Sequence, residues 1–151
     1  MAQKTAPILP GAYQTAQYLP LLKNKRVGLF TNHTATVGKK HLIDTLLASG
    51  IQIQKVFTPE HGLRGTADAG EKTKDGIDEA TGVKIVSLYG KKYGPSEEDL
   101  KDVDVLLFDI QDVGTRFYTY ISSLQYYMEA AWANNKPLVI LDRPNPNGHY
   151  V

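Results

Sequence analysis

Val103-Asp104-Val105-Leu106-Leu107-Phe108-Asp109-Ile110-Gln111-Asp112 opens apolar and closes polar. Three other stretches repeat that polarity. Arg26-Val27-Gly28-Leu29-Phe30 runs into Thr31-Asn32-His33, Ile53-Gln54-Lys55-Val56-Phe57 into Thr58-Pro59-Glu60-His61, and the apolar residues 138–141 into Asp142-Arg143. Read as strands, these segments change character at their carboxyl ends. In an open α/β sheet, ligands bind in the crevice outside the carboxyl ends of parallel strands. If the four are parallel, carboxylates, an arginine and two histidines gather along one rim. That is the layout of an active site.

The intervening segments alternate with the strands. The pattern predicts strands over 26–31, 52–57, 83–88, 103–110 and 137–141, and helices over 39–48, 96–101 and 115–134. Leu42, Ile43, Leu46 and Leu47 share a face of the first helix, and Gly50 is placed to end it. In the longest helix Phe117, Ile121, Leu124, Met128 and Ala131 recur at helical spacing, and Asn134-Asn135 mark its end. Residues 1–25, with Pro7, Pro10, Gly11 and Pro20, read as an irregular lead-in to a domain over 26–151. The glycine- and charge-rich stretch 62–82 exceeds an ordinary βα loop, and such loops carry function or move. The expected fold is a Rossmann-like three-layer α/β domain. It has a mainly parallel sheet of about five strands and helices on both faces.

A chain of 151 residues is one domain's worth. Seventeen basic residues against sixteen acidic ones leave the net charge near zero. This argues against nucleic acid as a partner, since sequence-independent binding needs a basic patch. With no cysteine, disulfides, zinc–thiolate sites and cysteine nucleophiles are excluded. No apolar run approaches the roughly 20 residues that span a bilayer, so no membrane span is expected.

Glu60, in Thr58-Pro59-Glu60-His61-Gly62, leads the catalytic candidates. Proline fixes the backbone before the acid and Gly62 permits a sharp turn after it. A carboxylate at a strand end, partly shielded by a loop, suits a general acid; the plainer alternative is a surface glutamate capping the next loop. His33 and His61 have no partner at metal-ligand spacing, and each reads more simply as an ordinary hydrogen-bonding histidine. Arg64, in Gly62-Leu63-Arg64-Gly65, is suited to grip a carboxylate bidentately, against a salt bridge to Asp68 or Glu71. The phosphate-loop spacing is absent here, and no Gly-x-Gly-x-x-Gly follows the first strand.

Along Asp109-Ile110-Gln111-Asp112, strand alternation sends Asp109 and Gln111 one way and Ile110 and Asp112 the other. One aspartate then faces the crevice and the other orders the turn. Arg116 opens the predicted long helix, where a cation opposes the macrodipole, so it calls for a structural aspartate or a bound anion. Tyr118, Tyr120, Tyr126 and Tyr127 suit core packing better than stacking on a sugar. Asp142-Arg143 reads as a structural bridge or as rim chemistry. Asn32-His33-Thr34 fits a glycosylation sequon, a pattern of high false-positive rate.

Thr-Pro-Glu-His-Gly, then Gly-Leu-Arg-Gly, Leu-Tyr-Gly, Asp-Ile-Gln-Asp-Val-Gly-Thr-Arg-Phe-Tyr-Thr-Tyr and Leu-Asp-Arg-Pro-Asn-Pro follow one another in this chain. In that order, over about 26–148, they resemble the NamZ/YbbC-like family of exo-β-N-acetylmuramidases. The resemblance implies a glycosidase that releases N-acetylmuramic acid from the non-reducing end of peptidoglycan fragments in cell-wall recycling, without cofactor or metal. It implies Glu60 as the family's catalytic glutamate. Asp109 or Asp112, or the substrate's own 2-acetamido group, would then take the second role. Arg64, Arg116 or Arg143 would meet the lactyl carboxylate. Asn32, His33, His61 and Asp142 complete the substrate-binding candidates on the rim. Family members are exported, so a periplasmic or extracellular site of action is expected, with any export signal removed. The family's active site lies in a cleft against a smaller C-terminal domain. That domain is expected to be missing here, which would leave an apolar patch and a tendency of this piece to self-associate. Two other readings stand beside this one. One is a carbohydrate-binding or scaffold half-domain, inactive without its partner. The other is a metal-dependent hydrolase using His33, His61, Asp109 and Asp142.

Overall fold

The computed structural model describes residues 8–65 and 75–148. In chain order the elements begin with a 3-10 turn (Gly11–Tyr13), α1 (Thr15–Leu22), β1 (Arg26–Thr31), β2 (Thr36–Val37) and β3 (Lys40–His41). They continue with α2 (Leu42–Ala48), β4 (Gln52–Thr58), β5 (Gly76–Ile77), β6 (Lys84–Ser87), α3 (Glu97–Leu100), β7 (Val105–Asp109), α4 (Tyr120–Ala133) and β8 (Leu138–Ile140). A six-stranded sheet runs β5-β6-β4-β1-β7-β8. All its pairings are parallel except that of the two-residue edge strand β5. The expected Rossmann-like α/β fold is therefore the observed one. No helix among the described residues is long and apolar enough to cross a membrane.

The chain starts in the middle of the sheet, builds outward through β4 and β6, then returns past β1 to β7 and β8. The order reverses between β1 and β7, and that switch point is where an open sheet leaves a crevice at its carboxyl edge. Strand alternation sorts the core into two layers. Val27, Leu29, Val105 and Leu107 face α1 and α2. Phe30, Leu106, Phe108 and Ile110 face α4. A bulge at the β1–β4 pairing (Val27↔Ile53, then Gly28↔Lys55) lets both Ile53 and Val56 join the first layer. Lys55, 4% exposed, ends against Asp102 Oδ1 at 2.5 Å and the Asp99 carbonyl at 2.7 Å.

Three sequence expectations need correction. The lead-in is not irregular: α1 packs Tyr18 and Leu22 into the core, and the Gly11 amide donates to the Asp142 carbonyl at 2.6 Å. A Cβ at Gly11 would lie 2.8 Å from the Asp142 nitrogen, so only glycine permits this approach. The first predicted helix starts at Leu42 rather than at 39, because residues 36–41 form a hairpin turning at Gly38 (φ +62°). The long helix starts at Tyr120 rather than at 115. Gly114, at φ +72°, breaks the backbone before it.

α4 packs on the sheet through Tyr120, Tyr127 and Ala131, with Leu124 half-buried between them. The Tyr127 ring sits 5.1 Å from Phe30, 5.8 Å from Phe57 and 6.3 Å from Phe108 (centroid distances), and its hydroxyl donates to the Gly28 carbonyl at 2.8 Å. Such tilted and edge-on aromatic contacts add to the burial energy. Of the predicted apolar face, Leu124 and Ala131 pack on the sheet, whereas Phe117, Ile121 and Met128 are exposed.

Candidate functional site

Glu60 stands in the turn that follows β4. Proline at 59 ends the strand, and His61 and Gly62 both take left-handed backbone conformations (φ +70° and +69°), closed by the Gly62 amide on the Pro59 carbonyl at 3.2 Å. For histidine that conformation is uncommon and costs free energy. The turn docks on β1's exit: a Cβ at Gly65 would lie 2.8 Å from the His33 ring, so glycine there lets the turn settle onto His33. The Tyr89 phenol, just past β6, lies near the Glu60 carboxylate. Partial burial, then the Glu60 charge, push that phenol's pKa up.

Glu60 and His61 line a cavity of about 180 Å³ with Phe117, Tyr118, Thr119 and Tyr120. Phe117, 95% exposed, and Tyr118 stand open beside the acid. A second cavity, of about 140 Å³, is lined by Asp112, Tyr120, Ile121, Leu124, Ile140 and Asp142 among others. Tyr120 is the wall between the two. The charges of Glu60 and Asp112 both act on its phenol, whose pKa is raised first by burial and lowered in part by the Asn32 amide. Two carboxylates thus flank one tyrosine at the switch point.

Asn32 is fully buried at the end of β1. Its Oδ1 accepts from the Thr34 amide at 3.0 Å and the Thr34 hydroxyl at 2.6 Å. Among the described residues its Nδ2 makes no hydrogen bond of normal geometry, and neither does the buried Thr58 Oγ1 at the end of β4. Buried polar atoms left unpaired are costly, and these two lie on adjacent strand ends of the same rim. In the folded chain Asn32 is closed to glycosylation.

The alternation read along 109–112 holds. Asp109 and Gln111 turn toward the segment leaving β8: Arg143 grips Asp109 bidentately (2.5 and 2.9 Å), and Gln111 Nε2 donates to the Asp112 and Pro144 carbonyls. Ile110 joins the α4 core layer and Asp112 lines the second cavity, one of its oxygens accepting from the Gly114 amide at 2.6 Å.

Asp109 and Arg143, with side chains 0% and 6% exposed, form a buried structural pair, so neither offers a free charge to a ligand. Burial pushes the Asp109 carboxyl up against the pull of Arg143. Arg64 is likewise engaged, by Asp78 at 2.8 and 3.1 Å and by Asp44 at 3.6 Å. The partners anticipated for it, Asp68 and Glu71, lie outside the described residues. Arg116, four residues ahead of α4 rather than on it, is exposed and enters no ion pair among the described residues. Its anticipated structural aspartate is not among them.

His33 and Asp142 are exposed. Among the described residues no three His, Asp or Glu side chains converge as a metal ion would require. The set His33, His61, Asp109 and Asp142 is not brought together.

Tyr89 is a site residue that the sequence did not single out, and Tyr120, read there as core packing, also borders both cavities. Tyr89 follows a strand end directly, and Tyr120 sits where the helix meets the rim. Position relative to the strand ends was the signal for both.

A family model described as "Exo-beta-N-acetylmuramidase NamZ, N-terminal" matches residues 27–151. The chain is 52% identical over 133 residues to the peptidoglycan beta-N-acetylmuramidase NamZ of Bacillus subtilis (strain 168), a match covering 87% of this chain and 32% of that protein. Two crystal structures of DUF1343 family proteins from Bacteroides fragilis superpose with TM-scores of 0.81 and 0.83, at 48% and 43% identity. They cover 97% and 94% of this chain, and 37% and 36% of their own. The chain therefore spans about a third of the length of the relatives it matches.

Proposed function

This chain belongs to the exo-β-N-acetylmuramidase NamZ N-terminal family, and from that premise we propose that its rim forms the acid-bearing half of a glycosidase site acting on peptidoglycan fragments. The supporting observation is Glu60 on the wall of a cavity, near Tyr89 and flanked by exposed aromatic rings. In this reading Glu60 donates its proton to the departing glycosidic oxygen as the C1–O bond breaks, and water adds its hydroxyl to C1 and returns its released proton to the Glu60 carboxylate. Asp112 faces the positive charge that develops at C1, because Asp109 is engaged by Arg143. Phe117 and Tyr118 offer faces to the apolar C–H side of a sugar, and Arg116, which enters no ion pair among the described residues, is the cation for the lactyl carboxylate of N-acetylmuramic acid. Proton transfer of this kind calls on no cofactor. The work lies in the periplasm or outside the cell, where the polymer is.

Hydrolysis of an aryl β-N-acetylmuramide tests this. General acids contribute about 10²–10⁴-fold, so Glu60→Gln should cost at least about a hundredfold with the melting transition unchanged. Unchanged turnover would refute the assignment. The assay is run on this chain and on a chimera in which it replaces the matched region of the Bacillus subtilis relative.

A second reading is favoured by the size of the cavities. At about 180 and 140 Å³ each falls short of the ~300–1,000 Å³ usual for a ligand pocket, as expected of half a cleft. In that reading the chain alone binds saccharide without cleaving it, and only the chimera turns over.

A further inference from the structure

The apolar residues of α4 form two stripes. Tyr120, Leu124, Tyr127 and Ala131 face the sheet. One residue further round the helix, Ile121, Met128 and Trp132 point outward, 66%, 49% and 87% exposed. Glu129 is the helix's sole charged residue. A surface helix carries one apolar stripe and a charged opposite face, whereas a helix apolar on most sides belongs inside a larger body.

The neighbouring strand has the same character. β8, Leu138-Val139-Ile140, pairs only with β7 among the described residues, and it holds no charge, proline or bulge to protect its outer edge. The two features meet, since Ile121, Leu124 and Ile140 line one groove.

We propose that this face is the seat of a further βα unit in the longer members of the family. A helix packs beside α4 on Ile121, Met128 and Trp132, and a strand then pairs parallel to β8. Three observations point to that occupant. About two-thirds of each relative lies outside the matched region. The parallel strands β6-β4-β1-β7-β8 reproduce the order 3-2-1-4-5 of a doubly wound sheet, whose sixth strand falls beside the fifth. Finally, crossovers are right-handed. The step from β7 through α4 to β8 and the next step outward move in the same direction, so the new helix lands on α4's face of the sheet. Its apolar side meets the outward stripe.

The chain has no cysteine, so single-cysteine variants report cover site by site. Met128→Cys, Lys101→Cys on the exposed end of α3, and Ala131→Cys in the core are labelled with a maleimide. This is done in the 151-residue chain and in the chimera with the Bacillus subtilis relative. Met128→Cys should react about tenfold or more slowly in the chimera, while Lys101→Cys reacts alike in both. Equal rates at Met128→Cys would overturn the proposal. So would protection in the isolated chain that disappears on dilution, which would make a second copy the occupant. If Ala131→Cys reacts fast in the chimera, that protein is misfolded and a second readout decides. Trp132 is the chain's only tryptophan, and its emission, taken against Trp132→Phe, is followed as the remaining part of the relative is titrated in. A blue shift upholds the proposal and an unmoved spectrum overturns it. Labelling reads cover rather than hydrolysis, so the result is independent of the glycosidase assignment.

Discussion

Asp109 and Arg143 show how a carboxylate's partner decides its role. Both sit on the rim, where sequence placed them as chemistry, yet they hold each other bidentately, and Arg143 also donates to the Thr36 carbonyl at 3.2 Å. Breaking a buried pair strands the remaining charge at a cost of about 3–5 kcal/mol. Asp109→Asn should therefore lower the urea midpoint sharply. Removing Asp104 from its pair with Arg26, whose side chains are 37% and 43% exposed, should matter far less. Tyr18, beneath the buried pair, has its phenol pushed up to about 12 by burial and then by the Asp109 charge. The turn that carries Glu60 was legible because proline before it and glycine after it announce a turn at a strand end. Which of Asp109 and Asp112 is available was not, because alternation separates them without saying which side holds Arg143.

At the scale of elements, α2 depends on His41. Its Nδ1 accepts from the Ile43 amide at 3.3 Å and its Nε2–H donates to the Asn32 carbonyl at 2.8 Å, so the neutral ring caps the helix and ties it to the rim. Protonation removes the acceptor. Burial lowers the His41 pKa, the nearby Arg64 adds to that, and the Asn32 carbonyl, Asp44 and Asp109 oppose it. A depressed histidine pKa means that the folded state binds fewer protons than the unfolded one. Its contribution is full above the ordinary histidine value of about 6.5 and is lost as pH falls below it, levelling off beneath the folded pKa. The difference in urea midpoint between the native chain and His41→Asn should therefore shrink from about pH 7.5 to about pH 5. A constant difference would count against the cap. The helix ends Gly50 and Asn134-Asn135 were readable from sequence, since residues that tolerate left-handed backbone are rare and local. The start of α4 was not, because residues 115–119 carry helical spacing and only the Gly114 break stops them joining it.

Over the whole molecule, the exposed outward stripe of α4 and the edge of β8, unpaired among the described residues, should make the isolated chain sticky at high concentration. Light scattering should show mass rising with concentration, and Trp132→Lys with Met128→Lys should abolish that rise. Melting should be little changed, since both side chains are substantially exposed. A concentration-independent monomer would refute this. The small cavities are in keeping with a chain that spans about a third of the length of the relatives it matches.

The βαβ alternation, the polarity of each strand and the Glu60 turn were determined by sequence alone, because apolar periodicity and proline–glycine punctuation act over a few residues. Tertiary structure decided what depends on pairing between distant segments: that Asp109 meets Arg143, that Arg64 meets Asp78, and that Tyr89 reaches Glu60. It also decided which apolar stripe of α4 lies on the sheet. Two stripes one residue apart have the same periodicity, and only packing against Phe30, Phe57 and Phe108 selects between them.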